Sequence, residues 1–131
     1  MDNSIIYNDF YKMPTREVEL FQKLANEQDE DCKRGIIQQI HSLRGIYEKD
    51  DGTYGVNEAS FVRYILEAFS MLYINGSIAF YNFCAHKYEY IGEPEYMAFF
   101  KNILDEINTS LWNSKLEGKY KTRFKREISP R

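Results

Sequence analysis

Apolar residues between positions 56 and 76 predict the element around which the rest of the chain is organised. From Phe61 to Ile74 the only side chains that are not apolar are Arg63, Glu67 and Ser70. Their spacing of four and three residues places all three in one narrow stripe on the surface of an α-helix. Because the remaining surface of this helix is apolar, we expect neighbouring elements to cover it on most sides.

Capping residues mark both ends of this central helix. Asn57 is a suitable N-cap, since its side-chain oxygen can accept a hydrogen bond from a free backbone N–H. Asn75 and Gly76 tolerate the left-handed backbone conformation that often ends a helix. Ser77 follows directly and can cap the next helix, so we expect the two helices to form a tight antiparallel hairpin.

Helical spacing of apolar residues recurs in four more segments. We predict helices over about residues 14–26, 32–47, 78–90 and 94–112, with short links between them. Residues 1–13 have no clear period and are interpreted as a short helical turn or an arm packed on the body. The sequence therefore predicts an all-α fold, a small single-domain bundle of about five helices.

The segment KDDGTYG at residues 49–55 is the strongest break in this pattern. An Asp-Gly pair with a second glycine three residues later marks a turn. Ile46–Glu48 and Tyr54–Val56 flank this turn, and they can pair as a short, exposed β-hairpin over 46–56. A calcium-binding loop is excluded, because the segment lacks the alternating oxygen ligands and terminal Glu of an EF-hand.

Charge is distributed unevenly along the chain, although the net charge is only −3. Residues 1–114 carry 18 acidic and 10 basic side chains, a net of −8, whereas residues 115–131 carry 7 basic and 2 acidic ones, a net of +5. We interpret the chain as an acidic helical domain over 1–113 and a basic C-terminal tail over 114–131 that is partly ordered at best. Because tyrosine combines a large apolar ring with a polar hydroxyl, the 11 tyrosines can form a binding surface on such a domain.

Several classes of protein are disfavoured by the composition. Cys32 and Cys84 belong to no CxxC or Cys/His cluster, and the first residues lack the basic and apolar regions of a signal peptide, so we expect a cytoplasmic protein with reduced thiols. Charged residues interrupt the longest apolar segment, and therefore no membrane span is expected. His41 and His86 lie on different predicted helices outside any HExxH pattern, so we expect no metal site and no cofactor.

Arg34 and His41 are candidate catalytic residues on the second predicted helix. Seven positions make two helical turns, so the two side chains share one face. The Arg-x6-His pattern resembles that of the HEPN ribonucleases, small helical bundles whose Arg and His act on RNA phosphate, usually in a dimer cleft. The resemblance implies an RNA-acting enzyme, although Gly35 stands where that family usually has a polar residue. Alternatively, both side chains border the solvent side of a helix whose other face is buried.

Two further groups are candidate binding residues. Arg63 and Glu67 are spaced to pair on one helix face, either as an exposed ion pair or as a buried pair lining a groove. The segment 119–126 alternates cations with Thr or aromatic residues. Its lysines and arginines can hold phosphates, and its aromatic rings can stack on bases. The residues concerned are Lys119, Tyr120, Lys121, Arg123, Phe124, Lys125 and Arg126. Alternatively, this segment binds an anionic membrane surface, docks on the acidic body of this or another copy of the chain, or is simply solvated.

No arrangement of nucleophile and base stands out in the sequence. We therefore expect a non-enzymatic protein-interaction module of the inhibitor, immunity or accessory type, which binds another protein or itself as a homodimer. An acidic body complements basic, nucleic-acid-processing partners. The alternatives are a HEPN-like RNA-acting enzyme and a nucleic-acid or anionic-surface binder that uses the tail. The order of helices over residues 14–107 resembles small bacterial helical domains, a resemblance that implies no activity.

Overall fold

The computed structural model describes residues 7–128. Groups of helices and groups of strands follow one another along this part of the chain. In chain order the elements are α1 (Tyr7–Phe10), α2 (Thr15–Asn26), α3 (Glu30–Leu43), β1 (Ile46–Glu48), β2 (Tyr54–Val56), α4 (Glu58–Ala68), β3 (Met71–Ile74), β4 (Ser77–Asn82), β5 (Lys87–Tyr90), α5 (Glu93–Asp105), a 3₁₀ turn (Thr109–Leu111) and α6 (Ser114–Ile128). The all-α prediction is therefore wrong, because the fold is mixed helix and sheet. The beginning of the predicted N-terminal arm and the last three residues of the predicted tail lie outside the described residues.

The central helix is shorter than predicted. It begins after Asn57, whose side chain accepts a hydrogen bond from the backbone N–H of Ser60 at 3.0 Å, as expected for an N-cap. The helix ends at Ala68, and the apolar residues that follow form β3 instead. Asn75 and Gly76 have φ angles of 52° and 84°, the backbone of a tight two-residue hairpin turn. This hairpin turn joins β3 to β4 where the sequence was interpreted as a link between helices.

The helix predicted over 78–90 is absent, because this segment forms β4, a turn and β5. The three strands make an antiparallel sheet in the order β3-β4-β5, in which Phe80 pairs with Met71 on one side and Glu89 on the other. Asn82, which lies within the segment predicted to be helical, accepts two backbone N–H bonds in the turn, at 2.9 and 2.8 Å. Local side-chain bonds of this kind favour a turn over a helix.

The β-hairpin predicted over 46–56 is present, with Ile46 paired to Val56. Gly45 joins it to α3 with a φ of 82°, and a Cβ at this position would lie 2.7 Å from the backbone oxygen of Asn57. Only glycine satisfies both the positive φ and the close approach of the start of α4. The hairpin is therefore held against the helix that lies at the centre of the fold.

The segment predicted to be a basic tail forms α6 and packs on the body. Tyr120 and Phe124 are each 1% exposed, and Leu116 packs against the same core. Their spacing of four residues gives α6 one apolar face although the segment is rich in Lys and Arg. The prediction of a partly ordered tail overlooked this face.

The hydrophobic core has α4 at its centre, as the apolar pattern predicted. Side chains from α4, α5, α6 and the inner face of the three-stranded sheet meet in one cluster, which includes Phe61, Ile65, Phe69, Phe80, Phe100, Ile103, Leu104 and Phe124. Helices α2 and α3 pack against each other at the periphery. Among residues 7–128, the outer face of the three-stranded sheet is left largely exposed, and this difference between its two faces defines the first candidate site.

Candidate functional site

Five large side chains from three strands, four of them exposed and Tyr81 half-buried, share one face of the sheet, which we name the outer sheet face. They are Leu72, Ile74, Tyr81, Tyr88 and Tyr90. The pairing register places them together, because residues paired across an antiparallel sheet share a face. Tyr90 is 65% exposed and Leu72 is 43% exposed, whereas Phe80 on the opposite face is fully buried.

The tyrosines of the outer sheet face are held in place by their neighbours. The rings of Tyr81 and Tyr88 meet edge to face, with centroids 5.1 Å apart. The hydroxyl of Tyr88 lies within hydrogen-bond distance of the Ser70 hydroxyl, at 3.1 Å. Ala79, at the centre of the face, is only 2% exposed because larger neighbours surround it. This face was not predicted from the sequence, because the residues that build it were assigned to two helices.

Arg34 and His41 line one cleft of about 390 Å³ between α3 and the β1–β2 hairpin, as their shared helix face predicted. The Arg34 guanidinium lies at its rim and pairs with Asp31 at 2.9 Å. The His41 ring meets the ring of Tyr54 edge to face, with centroids 5.8 Å apart. Burial, followed by the positive charge of Arg44, lowers the pKa of His41 below its ordinary value. The imidazole is therefore neutral near pH 7.

The rest of this cleft is formed by hydrogen-bonding and aromatic groups. Tyr47, which is 52% exposed, lies across Gly55, where any Cβ would come within 2.6 Å of its ring. Gln38 and Glu48 add an amide and a carboxylate to the lining. A cleft with a cation, a neutral imidazole and phenol rings has groups suited to a phosphate-bearing or aromatic ligand.

Arg63 and Glu67 both lie on the exposed face of α4. Among residues 7–128, no ion pair joins these two side chains. Their exposure disagrees with the alternative of a buried pair in a groove. A binding role for either residue stays a prediction.

The candidate residues of the basic segment separate into three sets. Tyr120 and Phe124 are buried, and the Tyr120 hydroxyl donates a hydrogen bond to the carbonyl of Leu111 at 2.9 Å. The predicted stacking of these rings on bases is therefore wrong. Lys121 and Lys125 lie 3.5 and 3.1 Å from the carboxylate of Glu93. Lys119 and Arg126 are exposed, and the half-buried Arg123 lies 3.4 Å from Glu127.

A buried ionic cluster that sequence analysis missed connects α2 to the ends of α3 and α5. Arg44 donates hydrogen bonds to Glu17 at 2.8 Å and to Glu106 at 2.7 Å. Tyr64 donates to the same Glu17 at 2.5 Å and also bonds the hydroxyl of Tyr11. Burial raises the pKa of Tyr64 above its ordinary value, so the phenol stays protonated as a donor. We interpret the cluster as structural, because its charges are paired with each other inside the fold.

The two cysteines do not form an activated site. Both are exposed, and Sγ of Cys84 donates to the carboxylate of Asp9 at 3.3 Å, while Cys32 does the same to Asp29 at 3.1 Å. These hydrogen bonds to carboxylates raise the pKa of each thiol. Neither thiol therefore has the electropositive surroundings that produce a reactive thiolate.

Between Tyr7 and Ile128, no three His, Cys, Asp or Glu side chains are grouped so as to hold a metal ion. None of the helices in that range combines the length and apolar composition needed to cross a membrane. No protein-family model, curated protein or solved structure matches this chain.

Proposed function

We propose that this chain is a non-enzymatic protein-interaction module and that the outer sheet face is its binding surface. The observation that supports this proposal is the grouping of Leu72, Ile74, Tyr81, Tyr88 and Tyr90 on one uncovered face. Scattered exposed apolar residues are normal, but a contiguous set across three strands is typical of an interaction site. The side chains offer contact area and hydroxyl groups and include no charged or nucleophilic group suited to catalysis.

Tyrosine suits the centre of a protein interface. It combines a large apolar ring with a hydroxyl that finds a hydrogen-bond partner, and it is enriched among residues that dominate binding energy. Contacts of Tyr88 with Tyr81 and Ser70 already restrict its ring. Because a restrained ring loses little freedom on binding, the cost of ordering the interface is reduced.

Charge favours a basic protein as the partner. Residues 1–114 have a net charge of −8, and an acidic body attracts a basic partner and raises the association rate at low salt. An inhibitor, immunity or accessory role fits such a pair. A second copy of this chain is the competing occupant of the outer sheet face, and the experiment distinguishes the two.

Site-specific photocrosslinking tests the proposal. A photoreactive aromatic residue is placed at Tyr90 and, as the matched control, at Tyr47, which is also an exposed strand tyrosine. After nuclease treatment of the host lysate, we expect one protein to crosslink at Tyr90 and not at Tyr47, and the additional substitution Leu72→Asp to abolish the product. Equal crosslinking at both sites, or a product unaffected by Leu72→Asp, would contradict the proposal. A crosslinked homodimer would replace the basic partner by a second copy.

The cleft between α3 and the hairpin supports a second candidate function, an RNA-acting enzyme that uses Arg34 and His41. The observation that favours it is that Arg34 and His41 line the same cleft and that His41 is neutral near pH 7. A neutral imidazole can accept a proton from a ribose hydroxyl, and a guanidinium can stabilise negative charge on the attacked phosphate.

An RNA cleavage assay with the purified chain tests this second candidate. We expect His41→Ala to abolish cleavage while circular dichroism stays unchanged, and Arg63→Ala on the exposed face of α4 to have no effect. If the pure protein cleaves no RNA, or if His41→Ala cleaves as well as the parent chain, this candidate is excluded.

A further inference from the structure

One side of α6 has a row of four cations, three of them exposed and Arg123 half-buried, which we name the α6 basic stripe. It consists of Lys115, Lys119, Arg123 and Arg126. Their spacing of four, four and three residues keeps them on one side of a helix. Tyr120 and Phe124 lie on the opposite side, inside the core. The packing of α6 therefore fixes the direction in which the stripe faces.

Within the described chain, Arg123 is the one cation of the stripe that has an ion-pair partner, Glu127 at 3.4 Å. Lys115, Lys119 and Arg126 have no ion-pair partner among residues 7–128. Like charges four residues apart on a helix repel each other. In addition, Lys115 lies in the first turn of α6, where the helix dipole disfavours a cation. The arrangement therefore destabilises the free protein in a way that an anionic ligand would relieve.

Gly118 is a second, independent feature of the same surface. It lines one shallow groove together with Lys115, Lys119 and Arg126. A Cβ at this position would meet no atom within 4 Å, so no neighbour requires a glycine there. Glycine weakens a helix interior but allows close approach of a ligand to the backbone. Both features thus point to a ligand on this side of α6.

We propose that the α6 basic stripe binds the phosphodiester backbone of a nucleic acid without reading its base sequence. The centre of a protein interface needs aromatic or apolar side chains, but besides its four cations this groove is lined by Gly118, Thr122 and a single carboxylate, Glu58. Helices that bind a membrane surface insert an apolar face into the lipid, whereas the apolar face of α6 is buried in the core. No aromatic ring of α6 is exposed, so base stacking is absent and phosphate contact supplies the affinity.

Fluorescence anisotropy with the full chain tests this proposal, using a labelled single strand and a labelled duplex of mixed sequence over a range of KCl concentrations. For four phosphate contacts we expect log K to fall with log[KCl] with a slope of about −3 to −4. The triple substitution Lys115→Gln, Lys119→Gln and Arg126→Gln should weaken binding at low salt more than tenfold. It should also make the slope shallower by about 1 for each cation removed.

A charge-matched control distinguishes the effect of the stripe on affinity from the effect of the net charge of the protein. The control triple is Arg16→Gln, Lys23→Gln and Lys49→Gln, all at exposed positions, and it should leave the affinity within about twofold if phosphate contacts are local to α6. Glutamine keeps helix propensity, so both variants should fold as judged by circular dichroism. Equal losses in the two triples, unchanged binding in the stripe triple, or preferential binding to phosphatidylserine vesicles would overturn the proposal. Crosslinking at Tyr90 is independent of all these outcomes.

Discussion

Arg44 Nε donates a hydrogen bond of 2.8 Å to Oε2 of Glu17, and both side chains are almost completely removed from solvent, at 4% and 0% exposure. Glu17 lies in the first turn of α2 and Arg44 directly follows α3, so this one pair fixes the two peripheral helices to each other. The second Arg44 bond to Glu106 and a further one to the carbonyl of Ile103 connect the pair to α5. The periphery is thus attached to the body by charge as well as by apolar packing.

Breaking this pair by removing one partner should be strongly destabilising. Arg44→Met leaves the carboxylate of Glu17 buried without its cation, and we expect a loss of about 3–5 kcal/mol in the free energy of unfolding. The double variant Arg44→Met, Glu17→Leu removes both charges and should recover part of that loss. Urea denaturation measures both values. A double variant as unstable as the single one would mean that packing, and not the uncompensated charge, determines the loss.

Stability should fall at alkaline pH because buried tyrosines resist ionisation. Burial is the main cause that raises the pKa of Tyr11 and of Tyr120 from 10.0 to about 12. The folded state then keeps protons that the unfolded state releases above pH 10.0, so the stabilisation is complete below that pH and is lost as pH rises through about 12. Each tyrosine contributes at most about 1.4 kcal/mol per pH unit in this window.

Urea denaturation across the alkaline range, together with tyrosinate absorbance, measures this loss. Tyr120→Phe removes one ionisable group from the core and should make the decline with pH shallower, although it also loses the bond to Leu111. Tyr90→Phe, at a position 65% exposed, is the control that should leave the slope unchanged. A pH-independent stability between these values would contradict the assignment of buried, protonated tyrosines.

Alanine substitution of two glycines, Gly35 and Gly45, should change the stability of the protein in opposite directions. Gly35 lies within α3, and a Cβ there would meet nothing within 4 Å. Gly35→Ala should therefore stabilise the protein by about 0.5–1 kcal/mol through helix propensity. Gly45→Ala should destabilise it by several times that amount, because φ is 82° and the added carbon would clash with the backbone of Asn57. Thermal denaturation of both variants checks the signs.

Alanine substitutions at Gly76 and Gly118 test whether the chain forms a hairpin or a helix around Gly76. Gly76 has a φ of 84° in the β3–β4 turn, so Gly76→Ala should cost about 1–2 kcal/mol. Gly118 lies within α6 with open space around it, so Gly118→Ala should instead raise stability by about 0.5–1 kcal/mol. Chemical denaturation decides the matter: a stabilising effect at both positions would agree with helix around Gly76 and contradict the hairpin.

The sequence predicted an element correctly where the residue pattern fits only one type of secondary structure. The apolar spacing of the α4 region, the N-cap Asn57 and the Asp-Gly turn of the 46–56 hairpin all appear in the structure. The shared face of Arg34 and His41 was also predictable, since two helical turns bring them together on α3, and both line the cleft beside the hairpin. What they do there stays a prediction.

The segment 71–90 could not be assigned from its pattern, because two periods fit it. Asn82, His86 and Glu89 are spaced as a helical stripe, yet two of them flank a turn in which His86 has a φ of 57°. Asn75-Gly76 serves equally as a helix end and as a hairpin turn. The secondary structure of a short apolar segment whose flanking residues fit both a helix and a strand depends on what the segment packs against. Here Phe80 packs in the core together with side chains of α4 and α5.

Four features of this protein were predictable from local patterns: an apolar central helix, amphipathic neighbours, a tight hairpin after α3, and an acidic body with a basic end. Packing across the whole chain makes 71–90 a sheet with an exposed outer face and brings Arg44 to a buried Glu17. Packing also turns Tyr120 of α6 inward. Local features depend on neighbours within a few residues of each other, which the sequence displays directly. Burial and ion pairing depend on residues as far apart as Glu17 and Arg44, which only the packed chain brings together.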